Sequence, residues 1–338
     1  MKVTTLHGVR DIRLEDRPAP TVQAPTDAIV QVTAACVCGS DLWPYRGENP
    51  ITPGDPIGHE CVGVVAEVGS EVRSFAPGDF VVVPFCHSDN TCPHCRAGMT
   101  SACDHLGVTQ GGQGELARVT QAEGSLWKLP EAPREDLVAG VLTLSDVLPT
   151  GWHCAVSAGV GPGDTVVVVG DGAVGLCGVL AAVELGAERV VAMSRHPERQ
   201  EVARRFGATH VVEERGEEGV ARILDLTDGV GADAVLECVG NGPAMEQAFG
   251  CARPGSTVGF VGVPHGVEVP IRTMFRRNVG LRGGMAPVRH YLPELTELVV
   301  SGTIDPGPVF DLELPLDEVA AAYAAMDERR AIKVLLRP

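Results

Sequence analysis

The sequence predicts an α/β protein with two parts, an irregular β-barrel-like region and a doubly wound parallel sheet. The order of the apolar runs along the 338 residues carries this prediction. Short strand-like runs broken by proline and glycine fill residues 1–150, whereas strands and helices alternate after Gly163. A chain of this length also exceeds what one hydrophobic core usually supports, so two domains are expected.

The first region contains three β-rich runs, at residues 28–37, 61–69 and 79–85. Turn-forming clusters such as NPITPGDP and APGD separate these runs. Short strands with irregular connections of this kind are typical of a small β-barrel.

The second region opens with the apolar strand DTVVVVG, residues 164–170, which suits a parallel sheet covered on both faces. Alternation of strands and helices then predicts a doubly wound sheet. The predicted strands are 189–193, 210–212, 232–240 and 256–263, the predicted helices 173–187 and 196–208, and the closing elements a helix at 316–329 and a strand at 332–336.

Charge and hydropathy exclude several classes of protein. The formal net charge is -17, which disfavours nucleic-acid or anionic-membrane partners. The N-terminal segment lacks the apolar core of a signal peptide, and no apolar run reaches the roughly 18 residues of a membrane span. We therefore expect a cytoplasmic protein whose 11 cysteines stay reduced, so that clustered cysteines favour metal binding over disulfides.

A dinucleotide-binding fingerprint stands at the start of the second region. GDGAVG, residues 170–175, follows a predicted strand and opens a predicted helix. In this context Gly170 makes the tight turn, Gly172 lets a pyrophosphate approach the backbone, and Gly175 lets helix and strand pack closely. The N-terminus of the helix then offers N–H groups to the phosphates.

The end of the second strand of this region indicates which dinucleotide binds. NAD-specific sites place Asp or Glu there, but this chain has Ser194, followed by Arg195, His196 and, within the same stretch, Arg199. A hydroxyl and guanidinium groups would hold a 2′-phosphate that a carboxylate would repel. The sequence therefore predicts a preference for NADP(H), with an ordinary solvated loop as the alternative.

A cysteine-rich loop predicts a structural zinc site. Cys92, Cys95 and Cys103 follow the spacing C-x2-C-x7-C, and three thiolates on one loop suit a tetrahedral zinc with a fourth ligand. Asp89 is the predicted fourth ligand because it continues the three-residue spacing. The rivals for this place are Cys86, His87 and His94, and a loop without metal is the alternative for the whole segment.

Four motifs together resemble the zinc-dependent medium-chain alcohol dehydrogenases. They are CGSD at 38–41, GHE at 58–60, the cysteine-rich loop and GDGAVG, and the resemblance extends over essentially the whole chain. The segment 144–164 further resembles the branch of the glutathione-independent formaldehyde dehydrogenases and related bacterial alcohol dehydrogenases. In that branch the third ligand of the catalytic zinc is an aspartate rather than a cysteine.

The resemblance implies a catalytic zinc held by Cys38, His59 and Asp146, and two zinc ions per chain in total. Glu60 can approach the metal, and Asp41 orients the imidazole of His59, as a ligating histidine normally requires. A metal with three protein ligands and one open position would polarise an alcohol oxygen while hydride moves to the nicotinamide.

Further roles follow from the resemblance. Ser40 would take the alcohol proton, Thr150 and Val174 would contact the nicotinamide, and Lys333 would lie near the pyrophosphate. Trp43 stands where many relatives have a histidine that relays the proton, and an indole cannot relay one because its N–H only donates. Trp43 would instead pack near the cofactor or narrow the substrate site.

The family architecture implies a GroES-like catalytic domain from residues 1–150 and 288–338, and a Rossmann domain from residues 151–287. It also implies a small alcohol or carbonyl substrate and a homodimer or homotetramer. Two alternatives remain at this point: a zinc-independent quinone or enone reductase of the same fold, and a non-catalytic zinc-binding interaction module built on residues 86–105.

Overall fold

A computed structural model describes all residues from 1 to 338. The chain divides into two compact units, Met1–Pro149 with Pro287–Pro338 (unit 1) and Thr150–Ala286 (unit 2). No helix is both long and apolar enough to span a membrane.

The structure has eighteen strands and twelve α-helices. In chain order the strands are β1 (Lys2–Gly8), β2 (Asp11–Asp16), β3 (Ala28–Cys36), β4 (Asp55–Pro56), β5 (Cys61–Val68), β6 (Phe80–Val83), β7 (Cys86–His87), β8 (Gly107–Val108), β9 (Leu116–Val119), β10 (Trp127–Lys128), β11 (Thr165–Val169), β12 (Arg189–Met193), β13 (His210–Val212), β14 (Ala232–Glu237), β15 (Ala252–Phe260), β16 (Gly280–Gly283), β17 (Leu312–Pro315) and β18 (Val334–Arg337).

The α-helices are α1 (Leu42–Tyr45), α2 (Pro93–Arg96), α3 (Ala122–Ser125), α4 (Glu135–Thr143), α5 (Val147–Ala158), α6 (Ala173–Glu184), α7 (Pro197–Arg205), α8 (Gly216–Leu226), α9 (Gly242–Cys251), α10 (Ile271–Arg277), α11 (Val288–Val300) and α12 (Val319–Asp327). Short 3₁₀ helices occur at Gly39–Asp41, Thr100–Ala102, Gly307–Val309 and Leu316–Glu318.

Unit 1 is mainly antiparallel β structure. Its largest sheet has the order β10-β6-β5-β3-β18-β17, and β9 also pairs with β3. Exposed residues alternate with buried ones in the middle of β3, at Gln31 and Thr33, and its first three and last three residues are all buried. Valines, alanines and leucines of this sheet form one core with Tyr323 and its neighbours on α12. The short strands and irregular connections confirm the predicted barrel-like β region.

The C-terminal segment completes this sheet. Strand β18 pairs with the end of β3 in the registers Leu335 with Cys36 and Leu336 with Ala35. The predicted strand at 332–336 is thus confirmed, shifted by two residues at its start. Its place beside β3 brings Lys333 next to the segment that follows β3.

Unit 2 is built on a six-stranded parallel sheet. Its order is β13-β12-β11-β14-β15-β16, and all five pairs are parallel. The order reverses beside β11, which is the arrangement of a doubly wound dinucleotide-binding sheet. Valines of β11 and β14 are fully buried, as expected for strands covered on both faces. The predicted doubly wound sheet is confirmed.

Candidate active site and metal centres

Four potential metal ligands meet in unit 1 although they come from distant parts of the chain. We call Cys38, His59, Glu60 and Asp146 the Cys38 cluster, and one ligand atom from each lies within 4.8 Å of all the others. Cys38 follows β3, His59 and Glu60 precede β5, and Asp146 immediately precedes α5. The antiparallel pairing of β3 with β5 places the first three side chains at one end of the sheet.

Three members of this cluster are close enough to share one ion. The Sγ atom of Cys38 lies 3.7 Å from Oδ2 of Asp146, and the same oxygen lies 3.5 Å from Nε2 of His59. Cys38 and Asp146 are each 8% exposed. A thiolate, an imidazole and a carboxylate are the ligand types that a catalytic zinc takes from proteins. The donor set therefore fits a zinc ion.

Asp41 fixes the orientation of the imidazole. Its Oδ1 lies 3.2 Å from Nδ1 of His59, and its Oδ2 accepts a hydrogen bond of 3.0 Å from the backbone N–H of Cys38. A carboxylate at Nδ1 favours the tautomer that leaves Nε2 free to bind a metal. Asp41 thus holds two of the candidate ligands, His59 through its imidazole ring and Cys38 through its backbone N–H.

Two residues that the sequence did not single out support Asp41. The side-chain amide of Gln113 donates to Oδ2 of Asp41 at 3.1 Å, and the hydroxyl of Tyr323 donates to Oε1 of Gln113 at 3.0 Å. Both side chains are fully buried. This chain of hydrogen bonds links α12 to His59 through Asp41.

Glu60 forms a buried ion pair with Lys333. The ammonium group of Lys333 lies 2.6 Å from Oε1 of Glu60 and donates to the carbonyl of Val37 at 3.1 Å. Lys333 is 1% exposed and Glu60 is fully buried, and Oε2 of Glu60 has no hydrogen-bond partner. This geometry does not favour the pyrophosphate contact implied for Lys333, because a buried ammonium with two protein partners offers little to a ligand.

The electrostatics of the Cys38 cluster favour a cation. Burial alone would lower the pKa of His59, but Asp41, Cys38 and Asp146 raise it well above its ordinary value. The same surroundings that favour a proton on the imidazole favour a divalent cation beside it. Burial raises the pKa of the Cys38 thiol, so a metal would be needed to hold it as thiolate.

The predicted ligands of the cysteine-rich loop also meet. We call Asp89, Cys92, Cys95 and Cys103 the Cys92 cluster, and their ligand atoms all lie within 4.8 Å of one another. Backbone N–H groups point at the sulfurs: Cys95 donates to Cys92 at 3.4 Å, and His105 donates to Cys103 at 3.3 Å. The backbone hydrogen bonds lower the pKa of Cys92, which favours its thiolate. Three thiols and one carboxylate in this arrangement fit a tetrahedral zinc.

The three rivals of Asp89 have other environments. His87 is buried between the hydroxyls of Thr120 and Thr109, at 2.9 and 2.7 Å, and burial lowers its pKa to about 4. Cys86 lies on β7, and burial raises its pKa to about 12. His94 lies 3.5 Å from a carboxylate oxygen of Asp104. Only Asp89 joins the cysteines.

In unit 2 the glycine-rich turn has the geometry of a phosphate-binding loop. Gly170 directly follows β11 and has a φ of +119°, and a Cβ on Gly175 would lie 1.9 Å from the carbonyl oxygen of Gly170. A Cβ on Gly172 would meet no protein atom within 4 Å. The first turn of α6 follows directly and contains half-buried Val174. The turn therefore fits a pyrophosphate at the helix N-terminus.

The residues predicted to hold a 2′-phosphate lie beside this turn. Ser194 is fully buried at the end of β12, Arg199 is partly buried in the first turn of α7, and Arg195 is exposed. The Ser194 hydroxyl donates at 2.8 Å to Asp171, the second residue of the glycine-rich turn. Asp171 was not predicted as a site residue.

Comparisons with known proteins decide the family. The alcohol dehydrogenase GroES-like domain model matches residues 24–131, and the zinc-binding dehydrogenase model matches residues 173–301. A probable zinc-binding alcohol dehydrogenase of Mycobacterium tuberculosis is 37% identical over 349 residues, which cover 100% of this chain and 89% of that protein.

The chain belongs to the zinc-dependent medium-chain alcohol dehydrogenases.

Solved structures agree with this assignment. The alcohol dehydrogenase TADH from Thermus sp. ATN1 matches the dehydrogenase with a TM-score of 0.92 and 34% identity, covering 100% of this chain and 99% of that one. A Sinorhizobium meliloti structure, described as a zinc-binding dehydrogenase bound to NADP, matches with a TM-score of 0.84 and 27% identity over 100% and 99% of the two chains. The dehydrogenase is therefore a zinc-type oxidoreductase that uses a nicotinamide cofactor and a small-molecule substrate. The alternative of a non-catalytic zinc-binding module is wrong.

The other predicted site residues of the dehydrogenase have these positions. The hydroxyl of Ser40 lies 3.4 Å from Nε2 of His59. Thr150 lies in α5, one helical turn after Asp146, and is 9% exposed. Trp43 lies half-buried in α1, two residues after Asp41.

Proposed function

We propose that the dehydrogenase interconverts a small alcohol and its carbonyl compound with NADP(H), at a zinc held by Cys38, His59 and Asp146. The observation that carries this proposal is the convergence of these three side chains, from separate segments, with Asp41 behind the imidazole. When bound, zinc supplies a Lewis acid and the nicotinamide supplies the hydride acceptor or donor.

The residues around the metal ligands have two tasks. Asp41 keeps a proton on Nδ1 of His59, so that Nε2 is presented to the metal. Ser40 is the residue proposed to accept the alcohol proton, because its hydroxyl lies 3.4 Å from Nε2 of His59 and can both accept and donate. The ion pair with Lys333 holds Glu60 within reach of the metal ligands.

Trp43 occupies the position where many relatives have a histidine that relays the alcohol proton. The dehydrogenase therefore has no histidine relay at this position. The indole of Trp43 donates but does not accept, so we propose that the proton leaves Ser40 through water. We further propose that Trp43 restricts the size of the substrate. The kinetics of Trp43→His test both points: its pH profile and its preference among alcohols of different size should change, and no change in either contradicts the proposal.

A second zinc in the Cys92 cluster completes the proposal. Asp89 is its fourth ligand, and His105 lies 2.7 Å from Oδ2 of that carboxylate. The backbone hydrogen bonds from Thr91 and Cys92 and the contact with His105 hold the pKa of Asp89 far below its usual value. The carboxylate is therefore ionised and ready to bind a cation at any neutral pH.

The preference for NADP(H) rests on the end of β12. The chain has no carboxylate at Ser194, the position where NAD-specific sheets bind the ribose hydroxyls. Three positive charges lie in this part of unit 2, on Arg195, Arg199 and Arg215. They contrast with the negative net charge of the whole chain. We assign unit 2 as the dinucleotide-binding domain and unit 1 as the catalytic domain on these grounds.

We also propose that the dehydrogenase assembles as a homodimer or homotetramer. Strand β16 lies at the edge of the parallel sheet, and Ile271 and Phe275 on the neighbouring helix are 71% and 85% exposed. Large exposed apolar side chains beside an open sheet edge are typical of surfaces that are covered by a partner. Light scattering of the purified protein measures the assembly directly, and a monomer at micromolar concentration contradicts it.

Zinc analysis of protein purified without added metal or chelator is the first test. Two zinc ions per chain, with NADP-dependent oxidation of small alcohols that a chelator abolishes, is the expected result. Activity that survives complete zinc removal overturns the zinc-dependent mechanism and favours the zinc-independent reductase. One zinc per chain with full activity removes the Cys92 cluster, and Asp89 in particular, from the proposal.

A further inference from the structure

The donors proposed for the 2′-phosphate already hold an anion that belongs to the protein. Oδ2 of Asp171 accepts from the Ser194 hydroxyl at 2.8 Å, and Oδ1 lies 3.1 Å from Nη1 of Arg199. Nη2 of Arg215 lies 3.7 Å from Oδ2 of the same carboxylate. We call Asp171, Ser194, Arg199 and Arg215 the Asp171 network.

This network is well shielded from solvent. The side chains of Asp171 and Arg199 are each 14% exposed, Arg215 is 33% exposed and Ser194 is fully buried. Charge-assisted hydrogen bonds in such surroundings are stronger than those at an open surface. Although burial alone would raise the pKa of Asp171, Ser194 and the two arginines lower it, so the carboxylate is charged at neutral pH.

The position of the network gives it a consequence for the cofactor. Ser194 directly follows β12, and Asp171 lies in the turn after the adjacent parallel strand β11. In a doubly wound sheet the group on the 2′ position of the adenosine ribose lies at the end of this second strand. A phosphate there would need the hydrogen bonds that Asp171 now accepts.

We propose that Asp171 is a specificity-determining residue, an internal anion that competes with the 2′-phosphate of NADP(H) for Ser194, Arg199 and Arg215. This inference rests on the proposed binding of NADP(H) to unit 2. Two arginines against one carboxylate leave a net positive charge, and exposed Arg195 adds to it, so the site still attracts a phosphate. The competition lowers the affinity for NADP(H) without a matching effect on NAD(H), which has no 2′-phosphate.

The competition also explains why the carboxylate does not act as the ribose-binding acid of an NAD site. Both oxygens of Asp171 are already engaged, Oδ2 by Ser194 and Arg215 and Oδ1 by Arg199. In addition, Arg199 lies 3.4 Å from the backbone carbonyl of Asp171, which ties the arginine to the turn itself. Arg199 therefore keeps one contact with the turn when the carboxylate is removed.

Binding of cofactor fragments tests this proposal without zinc or turnover. Calorimetry gives the dissociation constants of 2′,5′-ADP and 5′-AMP, which differ only in the 2′-phosphate, for the full-length protein. We expect Asp171→Asn to tighten binding of 2′,5′-ADP about tenfold and to change binding of 5′-AMP by less than about twofold, because only the fragment with a 2′-phosphate competes with the carboxylate. Arg199→Met should weaken binding of 2′,5′-ADP and leave binding of 5′-AMP unchanged.

Two further variants control for charge and folding. Asp225→Asn removes one negative charge from an exposed position of α8 and should leave both dissociation constants unchanged. Asp171→Ser keeps a hydrogen-bonding group without charge and should reproduce the effect of Asp171→Asn if the latter folds poorly.

Each outcome separates this inference from the proposed cofactor preference. Unchanged or weaker binding of 2′,5′-ADP by both Asp171 variants overturns the inference, because Asp171 then organises the arginines. A selective loss of 5′-AMP binding overturns it too, because the carboxylate then binds the ribose hydroxyls. If the wild type shows no preference for 2′,5′-ADP but both variants gain one, the inference holds and the proposed NADP preference of the native protein fails.

Discussion

The Cys92 cluster and the Cys38 cluster lie in the same unit, but their ligands are separated by very different numbers of residues in the sequence. Asp89 and Cys103, the ends of the first, are separated by 14 residues, whereas Cys38 and Asp146 are separated by 108. The first cluster is held by backbone N–H groups of its own loop. The second is held by side chains from other elements, including Gln113, Tyr323 and Lys333.

This difference indicates what each cluster can do. A loop that supplies its own ligands and its own hydrogen bonds can form a site whose metal is closed off by four protein groups. A site with three ligands on separate elements depends on the whole unit for its geometry, and it leaves one position for a substrate. The contrast predicts local effects for changes in the Cys92 cluster and long-range effects for changes around the Cys38 cluster.

The largest effect is expected from Cys38→Ala. Loss of a zinc ligand should lower kcat by about 1,000-fold or more, since a Lewis acid supplies several kcal/mol of transition-state stabilisation. Elemental analysis should show one zinc fewer per chain, with the Cys92 cluster still filled. Cys61→Ala, which removes another buried thiol of unit 1, is the matched control. Activity of Cys38→Ala within tenfold of the wild type contradicts the assignment.

Removal of the buried cation is expected to have the next largest effect. Lys333→Met leaves the buried carboxyl group of Glu60 without its cationic partner, which should cost about 3–5 kcal/mol of the free energy of unfolding in urea. The double variant Lys333→Met/Glu60→Gln should recover most of this loss, since it removes both charges. A double variant no more stable than Lys333→Met shows that packing, and not charge, accounts for the loss.

A smaller and more local effect is expected in the loop. Asp89→Ala should speed zinc release from the Cys92 cluster to a coloured chelator by about 100-fold, which is the upper end of what the loss of an outer partner costs in metal affinity. Asp89→Cys should slow release below the wild-type rate, because a thiolate is a softer ligand for zinc than a carboxylate. The rate at the Cys38 cluster should stay constant in both variants. Equal acceleration at the two clusters would remove the distinction drawn between them.

The smallest effect is expected at the outermost support of the Cys38 cluster. Gln113→Leu removes one hydrogen bond to Asp41 and leaves the hydroxyl of Tyr323 without Gln113, which should weaken zinc binding at this cluster about tenfold. Competition with a chelator measures the affinity. Tyr323→Phe keeps the bond between Gln113 and Asp41 and should weaken binding less. An unchanged zinc affinity in Gln113→Leu shows that Asp41 orients His59 without the hydrogen bond from Gln113.

The local features of the molecule were accessible to prediction from the sequence. The spacing of Cys92, Cys95 and Cys103 is a property of one loop, and the alternation of strands and helices after Gly163 follows from the period of the apolar residues. The same holds for the turn from Gly170 to Gly175, where strand, glycines and helix are contiguous. The structure agrees with each of these predictions.

The long-range features were not accessible in this way. Asp146 was placed near Cys38 only through the resemblance to a family, since spacing says nothing about residues on separate elements. No pattern marked Gln113 or Tyr323, because a buried amide and a buried phenol carry no signal until their partners are known. Asp171 had a local signal, an acid inside a phosphate-binding turn, but its meaning depends on Ser194 at the end of the neighbouring strand.

The late position of β18 in the chain also matters for biosynthesis. Ribosomes deliver β3, β5 and Glu60 long before Lys333 and β18, so the Ala35–Cys36 end of β3 and the charge of Glu60 stay uncovered while the whole of unit 2 is made. Unpaired strand edges of this kind invite pairing with other chains. A nascent chain that stalls before residue 332 therefore has an unpaired edge on β3 and a Glu60 carboxyl group without its Lys333 partner. Such fragments should be substrates for chaperones and proteases.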